Sequence, residues 1–294
     1  MKSKLDNVQR YVQAGLRHWE QQNYGDALRQ YEKALKLEPN NPEVLFHIGF
    51  VHEELRMFEE AIAYYSGALK FAPTMVRAWE YSAVVYHNLR QYERAIRYYE
   101  KAIKLDPDYP YVYYNKAITL GAMGRIKDAI ACYDKTISLD PKYGLAYTNK
   151  GIKLNCLGEY QRAAETLKLA VRFDKQNARA FFALGKTLLA LRRHSQAFRQ
   201  YRKGLGMDPN NPREWKNAGE AAFRAKQYEI AAATYERSLT LCSGSPDIYY
   251  CVADSLRHQK KYSEATKYVK KGLRRFPSDE NLLTLWQSLK LLQK

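Results

Sequence analysis

Large and small side chains recur along this chain with a period of 34 residues. Counted from residue 8, the fourth place of each successive stretch holds Tyr11, Leu45, Trp79, Tyr113, Tyr147, Phe181, Trp215 and Tyr249. The twenty-fourth place holds Tyr31, Tyr65, Tyr99, Tyr133, Leu167, Tyr201, Tyr235 and Val269. Between them lie small residues. The eighth place is Gly15, Gly49, Ala83, Ala117, Gly151, Gly185, Gly219 or Ala253, and the twenty-seventh is Ala34, Ala68, Ala102, Thr136, Ala170, Gly204, Ser238 or Gly272. The twentieth is alanine throughout, from Ala27 to Ala265. Small residues let two helices approach, and large ones fill the space left over, as close packing requires.

Proline keeps the same step. All ten prolines fall in two series, one through Pro39, Pro73, Pro107, Pro141, Pro209 and Pro277, the other through Pro42, Pro110, Pro212 and Pro246. Lys175 and Ser243 occupy the vacant places of the first series. The segments between are free of proline and can be helical. Turn signals such as "QNYGD" (22–26) and "GAMGR" (121–125) fall midway through the unit. Each unit therefore predicts helix A, a turn, helix B and a proline-marked turn. A single such unit cannot bury its own apolar face, so stacked neighbours must supply the core.

The small–aromatic–small spacing with a terminal proline resembles the tetratricopeptide repeat family. The resemblance implies an all-α, right-handed α-solenoid of eight helix-turn-helix repeats, at 8–41, 42–75, 76–109, 110–143, 144–177, 178–211, 212–245 and 246–279. It puts the A helices along a concave groove and the B helices outside. Residues 1–7 read as a lead-in. Residues 280–294, "ENLLTLWQSLKLLQK", read as an amphipathic capping helix in which Trp286 packs.

Composition narrows the function classes. At 46% hydrophobic residues the chain is no disordered tail. Cys132, Cys156, Cys242 and Cys251 form no CxxC pair, which suits a reduced, cytoplasmic protein. The N-terminus lacks the apolar run of a signal peptide, and no stretch is long enough to span a membrane. The start methionine and the cap argue against a recognition array within a larger enzyme.

Catalytic and metal patterns fail one by one. "HEEL" (52–55) is followed by Arg56, so HExxH is not completed. "GLGMDP" (204–209) lacks the third glycine of a dinucleotide fingerprint, and neither a phosphate loop nor a GxSxG elbow occurs. Cys156 and Cys251 have no neighbouring base in sequence. The expectation is a non-enzyme without metal or cofactor.

The places that packing does not dictate are the second, fifth, sixth and ninth of helix A, which the resemblance sets on the concave wall. They include Tyr81, Tyr111, Tyr114, Asn115, Thr148, Asn149, Arg179, Phe182, Lys186, Arg213, Lys216, Asn217 and Tyr250. Asparagine recurs at the sixth place as Asn115, Asn149 and Asn217. An amide both donates and accepts, so a row of them can hold an extended peptide without reading its side chains. Tyrosines beside them are amphipathic anchors. Some members of the family clamp a C-terminal carboxylate with Lys, Asn and Arg at set places. Here the nearest run offers Lys186 and Asn217 but then presents Asp247 and Cys251, so that clamp is not expected.

Charge divides the chain. Net charge is +17 overall. Residues 1–143 hold 20 Lys and Arg against 18 Asp and Glu, whereas residues 144–294 hold 28 against 13. At the twenty-fifth place Glu32, Glu100 and Asp134 give way to Lys168, Arg202 and Lys270. Glu32–Lys36 pairs thus become Lys168–Arg172 repulsions, each worth only about 0.2–0.5 kcal/mol. Helix stability does not account for the change. An outer basic stripe of Lys168, Arg172, Arg199, Arg202, Lys203, Lys267, Lys270, Lys271, Arg274 and Arg275 is the expectation, either as a solubility device or to hold an anionic partner. The leading reading is a scaffold or adaptor gripping an extended acidic peptide. The alternative is a solenoid that binds RNA or another anionic surface.

Overall fold

The computed structural model describes residues 2–242 and 244–293. Ser243, one of the two proline replacements, lies outside the described residues. Among the described residues there are helices and turns but no strand. They form two compact units, Met1–Pro141 and Lys142–Lys294.

The first unit contains α1 (Lys2–Glu20), α2 (Tyr24–Leu37), α3 (Pro42–Glu54), α4 (Phe58–Phe71), α5 (Val76–Asn88), α6 (Tyr92–Leu105), α7 (Pro110–Ala122) and α8 (Ile126–Leu139). The helix α1 already begins at Lys2, so residues 2–7 extend it rather than lead into it. The second unit contains α9 (Gly144–Cys156), α10 (Tyr160–Phe173), α11 (Ala178–Ala190), α12 (His194–Met207), α13 (Pro212–Arg224), α14 (Tyr228–Leu241), α15 (Pro246–His258), α16 (Tyr262–Arg275) and α17 (Glu280–Leu292). Odd-numbered helices of neighbouring pairs touch directly, α3 with α5 and α5 with α7 in the first unit, α9 with α11 and α11 with α13 in the second. They make an inner layer, and the even-numbered helices cover it.

The size alternation explains how each pair closes. The ring of Tyr65 lies so near Gly49 that a Cβ there would sit 2.8 Å from Tyr65 Cδ1. Gly185 stands in the same relation to Tyr201, and Gly219 to Tyr235. Where Leu167 replaces the aromatic, its Cγ fills the same notch against Gly151. These large side chains are buried almost completely.

Two devices repeat at the turns. Between helix A and helix B one residue takes a positive φ in every pair: Gln22, Arg56, Arg90, Gly124, Gly158, Arg192, Lys226 and Lys260. At the α3–α4 turn, Met57 N–H donates to His52 C=O and Arg56 N–H to Glu53 C=O. That is the Schellman pattern, which satisfies carbonyls the helix end leaves open. Between pairs, the aromatic at the fourth place ties down the preceding turn. Trp79 Nε1 donates to Pro73 C=O and Trp215 Nε1 to Pro209 C=O, both at 2.8 Å, and Tyr113 Oη donates to Pro107 C=O. Asn41, Asn177, Asn211 and Asp279 cap the helices that follow them by accepting from the N–H three residues on.

The last helix, α17, buries Leu282, Leu285 and Leu289 against α15 and α16. Trp286 is half-buried beside them, with Lys290 Nζ 3.6 Å from its ring centroid. No described helix is long and apolar enough to cross a membrane.

Candidate functional site

In the second unit, the inner faces of α9, α11 and α13 border an open cleft of about 600 Å³. Arg179, Phe182 and Lys186 enter it from α11, and Arg213 and Asn217 from α13. Ile152 and Ala183 contribute apolar floor. These five polar or aromatic residues come from the second, fifth, sixth and ninth places of two successive A helices. Helical spacing sets places two, five, six and nine on one face.

Local packing fixes the anchors. Phe182 lies against Gly204, where a Cβ would sit 2.4 Å from Phe182 Cε1, and its ring is 6.4 Å from that of Tyr201. Asn217 Nδ2 donates to Glu214 at 3.0 Å, and Asn211 Nδ2 donates to Asp208 at 2.9 Å. The two carboxylates in the cleft are thus engaged by amides. Arg179, Lys186 and Arg213 are all exposed, and none has an ion-pair partner among the described residues. The cleft continues along α9 and α11 past Asn155, Cys156 and Tyr160. Asn155 Nδ2 donates there to Thr187 Oγ1 at 2.7 Å, and the Thr187 hydroxyl donates to Ala183 C=O at 2.7 Å.

Other expected groove residues of this unit are placed differently. Thr148 is buried and its hydroxyl donates to Gly144 C=O. Asn149 is buried as well. Lys216 is ion-paired with Asp247, which holds its ammonium pKa above the ordinary value. Tyr250 is half-buried and packs on the core of α15–α17.

The first unit presents a wall of another character. Tyr81 sits edge-on to Phe46 and Phe50, with centroids 5.5 and 5.2 Å away. Tyr111 is exposed beside Tyr109, and Tyr114 is half-buried 6.0 Å from Tyr133. Asn115 Nδ2 donates to Glu80 Oε1 at 2.9 Å. Glu80 is only 4% exposed, and burial raises its pKa although Tyr109 and Asn115 hydrogen-bond to it. Burial also pushes Glu53 up to about 7, against the hydrogen bond it accepts from Tyr65. Glu53, Glu80, Phe46 and Phe50 were missed in the sequence. Glu80 and Phe46 do stand at the fifth place of their units and Phe50 at the ninth, which was the signal available; Glu53, at the twelfth, carried none.

All ten residues of the basic stripe are exposed, on α10, α12 and α16. Among the described residues no three of His, Cys, Asp and Glu gather where they could hold a metal ion.

A model of the tetratricopeptide repeat matches residues 12–76, 182–246 and 218–280, and a second model of the same repeat matches 76–109 and 110–143. No curated protein matches the chain by sequence. Among solved structures, MamA is 26% identical, with a TM-score of 0.51 over 56% of this chain and 96% of its own. A tetratricopeptide repeat protein from Parabacteroides merdae aligns over 85% of this chain and 99% of its own at 14% identity and a TM-score of 0.59. PilF of Pseudomonas aeruginosa aligns over 74% and 96% at 18% identity and 0.57. The last two likenesses are of fold alone.

Proposed function

The chain belongs to the tetratricopeptide repeat family, and we propose that it is a non-enzymatic scaffold that holds an extended acidic peptide in the inner cleft of its second unit. Its fold is that of a protein–protein interaction scaffold. One observation carries the finer reading: Arg179, Lys186 and Arg213 converge on a cleft with Phe182 as its ring and Asn217 as its amide. Guanidinium groups bind carboxylates through paired N–H donors. Phe182 supplies an apolar contact, and Asn217 keeps its amide oxygen and second N–H for a peptide backbone. Cations set in a concave surface also speed capture of an acidic segment. A reducing compartment such as the cytoplasm suits the unpaired thiols Cys132, Cys156, Cys242 and Cys251.

The test is a titration of a fluorescein-labelled glutamate-rich peptide, followed by anisotropy at two salt concentrations. Reversing Arg179, Lys186 and Arg213 to glutamate abolishes binding if this reading holds, and helicity is unchanged. An unaltered affinity in that variant removes the cleft from consideration. Tight binding of an RNA oligonucleotide that outcompetes the peptide replaces this reading with the nucleic-acid one.

A further inference from the structure

The outer surface of the second unit holds a second cleft, unrelated to the inner one. It lies between α10 and α12, above α11, and measures about 550 Å³. Phe181, Leu184 and Leu188 form its floor, with Val171 and Met207 on its walls. Lys168, Lys175 and Lys203 stand around it.

The space has an identifiable origin. Three periods earlier, Tyr98 lies in the corresponding position of the first unit. Its ring is 5.1 Å from Trp79 and 4.9 Å from Tyr86, and Ile62 packs against the same cluster. Moving on by three periods replaces Tyr98 by Gln200, Trp79 by Phe181, Tyr86 by Leu188, Ile62 by Ala164 and Leu69 by Val171. Each of these five changes removes volume, the one at Gln200 a whole ring, against one gain where Leu184 of the floor stands in place of Ser82. Interiors tolerate few voids larger than a water molecule, so the loss opens a cleft instead of an interior gap.

The rim changed in the same place. Lys168 and Lys175 stand where the earlier unit has Ser66 and Pro73, and Lys203 matches Lys101. All three lysines are exposed, and none is ion-paired among the described residues. Lys203 Nζ lies 5.8 Å from the Phe181 ring centroid, over the mouth of the cleft. A solubility device explains the lysines but not the missing ring beneath them.

We propose that this cleft docks an acidic segment of a partner protein, which inserts one aromatic side chain into the space of the absent tyrosine and sets carboxylates against Lys168, Lys175 and Lys203. Apolar floor and basic rim match a peptide that is apolar at one residue and acidic on both sides.

The probe is a synthetic peptide of glutamates flanking one phenylalanine, with a control carrying alanine instead. A third form carries a benzophenone in place of the ring. Irradiation should cross-link this form to Met207 or Val171, located by mass spectrometry. Gln200→Tyr refills the cleft as Tyr98 does in the first unit. It should weaken the phenylalanine peptide by about tenfold or more and leave the alanine control unchanged. Lys168→Glu with Lys203→Glu should weaken it comparably, whereas reversing Arg179, Lys186 and Arg213 should leave the cross-link at Met207 in place. Cross-links confined to Ile152 or Ala183 would assign the peptide to the inner cleft and end this proposal. So would equal affinity for the two peptides, no cross-link at all, or displacement of the peptide by an RNA oligonucleotide that Gln200→Tyr does not affect.

Discussion

Tyr65 Oη donates to Glu53 Oε2 across 2.7 Å, joining helix α4 to the inner face of α3. Desolvation outweighs this bond and pushes the Glu53 carboxyl up to about 7 from its usual value near 4.5. A carboxyl raised in the folded state keeps its proton when the unfolded chain has lost it. Its contribution is therefore fully favourable below about pH 4.5 and is lost as pH rises through about 7. Glu53→Gln keeps an acceptor for Tyr65 without the charge. The variant should gain about 1–3 kcal/mol over the parent at pH 8 and little at pH 4. Thermal melts at the two pH values test this. An equal difference at both would deny Glu53 its raised pKa.

Two glycines give opposite outcomes for one substitution. Gly→Ala in a helix interior gains up to about 1 kcal/mol from propensity alone. At Gly206, in the last turn of α12, a Cβ would meet nothing within 4 Å, so Gly206→Ala should raise the melting temperature by part of that gain. At Gly219 the Cβ would sit 2.6 Å from the Tyr235 ring. Overpacking costs about 1–3 kcal/mol and outweighs the propensity gain, so Gly219→Ala should lower the melting temperature. Equal shifts in the two variants would contradict the notch between Gly219 and Tyr235.

The three asparagines at the sixth place should not respond alike to alanine. Asn115 satisfies the buried Glu80, and its removal should cost about 1–3 kcal/mol of stability. Asn217 donates to Glu214 at the edge of an open cleft. Its removal should weaken peptide binding and change stability by less than about 0.5 kcal/mol, as at other surface places. Urea unfolding of the two variants separates them, and a larger loss in Asn217→Ala would reverse the assignment.

Thiol chemistry should be confined to one residue at first. Cys156 is exposed in the inner cleft, whereas burial raises the Cys132 thiol and pushes Cys251 up to about 11. The thiolate is the reactive form. Ellman's reagent at pH 8 should therefore modify Cys156 fastest, and a fluorophore placed there should report peptide entering the cleft. Peptide mapping that finds Cys251 modified first would be inconsistent with its burial.

The 34-residue period, the helical pairs and the residues that close them were legible because one packing problem recurs. Gly49 needs Tyr65 as Gly185 needs Tyr201, and that complementarity is written in residue size alone. The turn residues were less legible. Between helix A and helix B only Gly124 and Gly158 announce a positive φ, while Gln22, Arg56, Arg90, Arg192, Lys226 and Lys260 adopt it under the constraint of the packed pair. The site was legible only as a set of places. Asn115, Asn149 and Asn217 are equivalent in sequence, yet one serves a buried carboxylate, one is buried and one reaches an open cleft. Their availability depends on neighbours brought from other helices, which periodicity does not encode. The outer cleft is the same case in reverse. Gln200 is one polar residue among many in the sequence, and it becomes a vacancy only where Phe181, Leu188 and Val171 surround the space a tyrosine ring would fill.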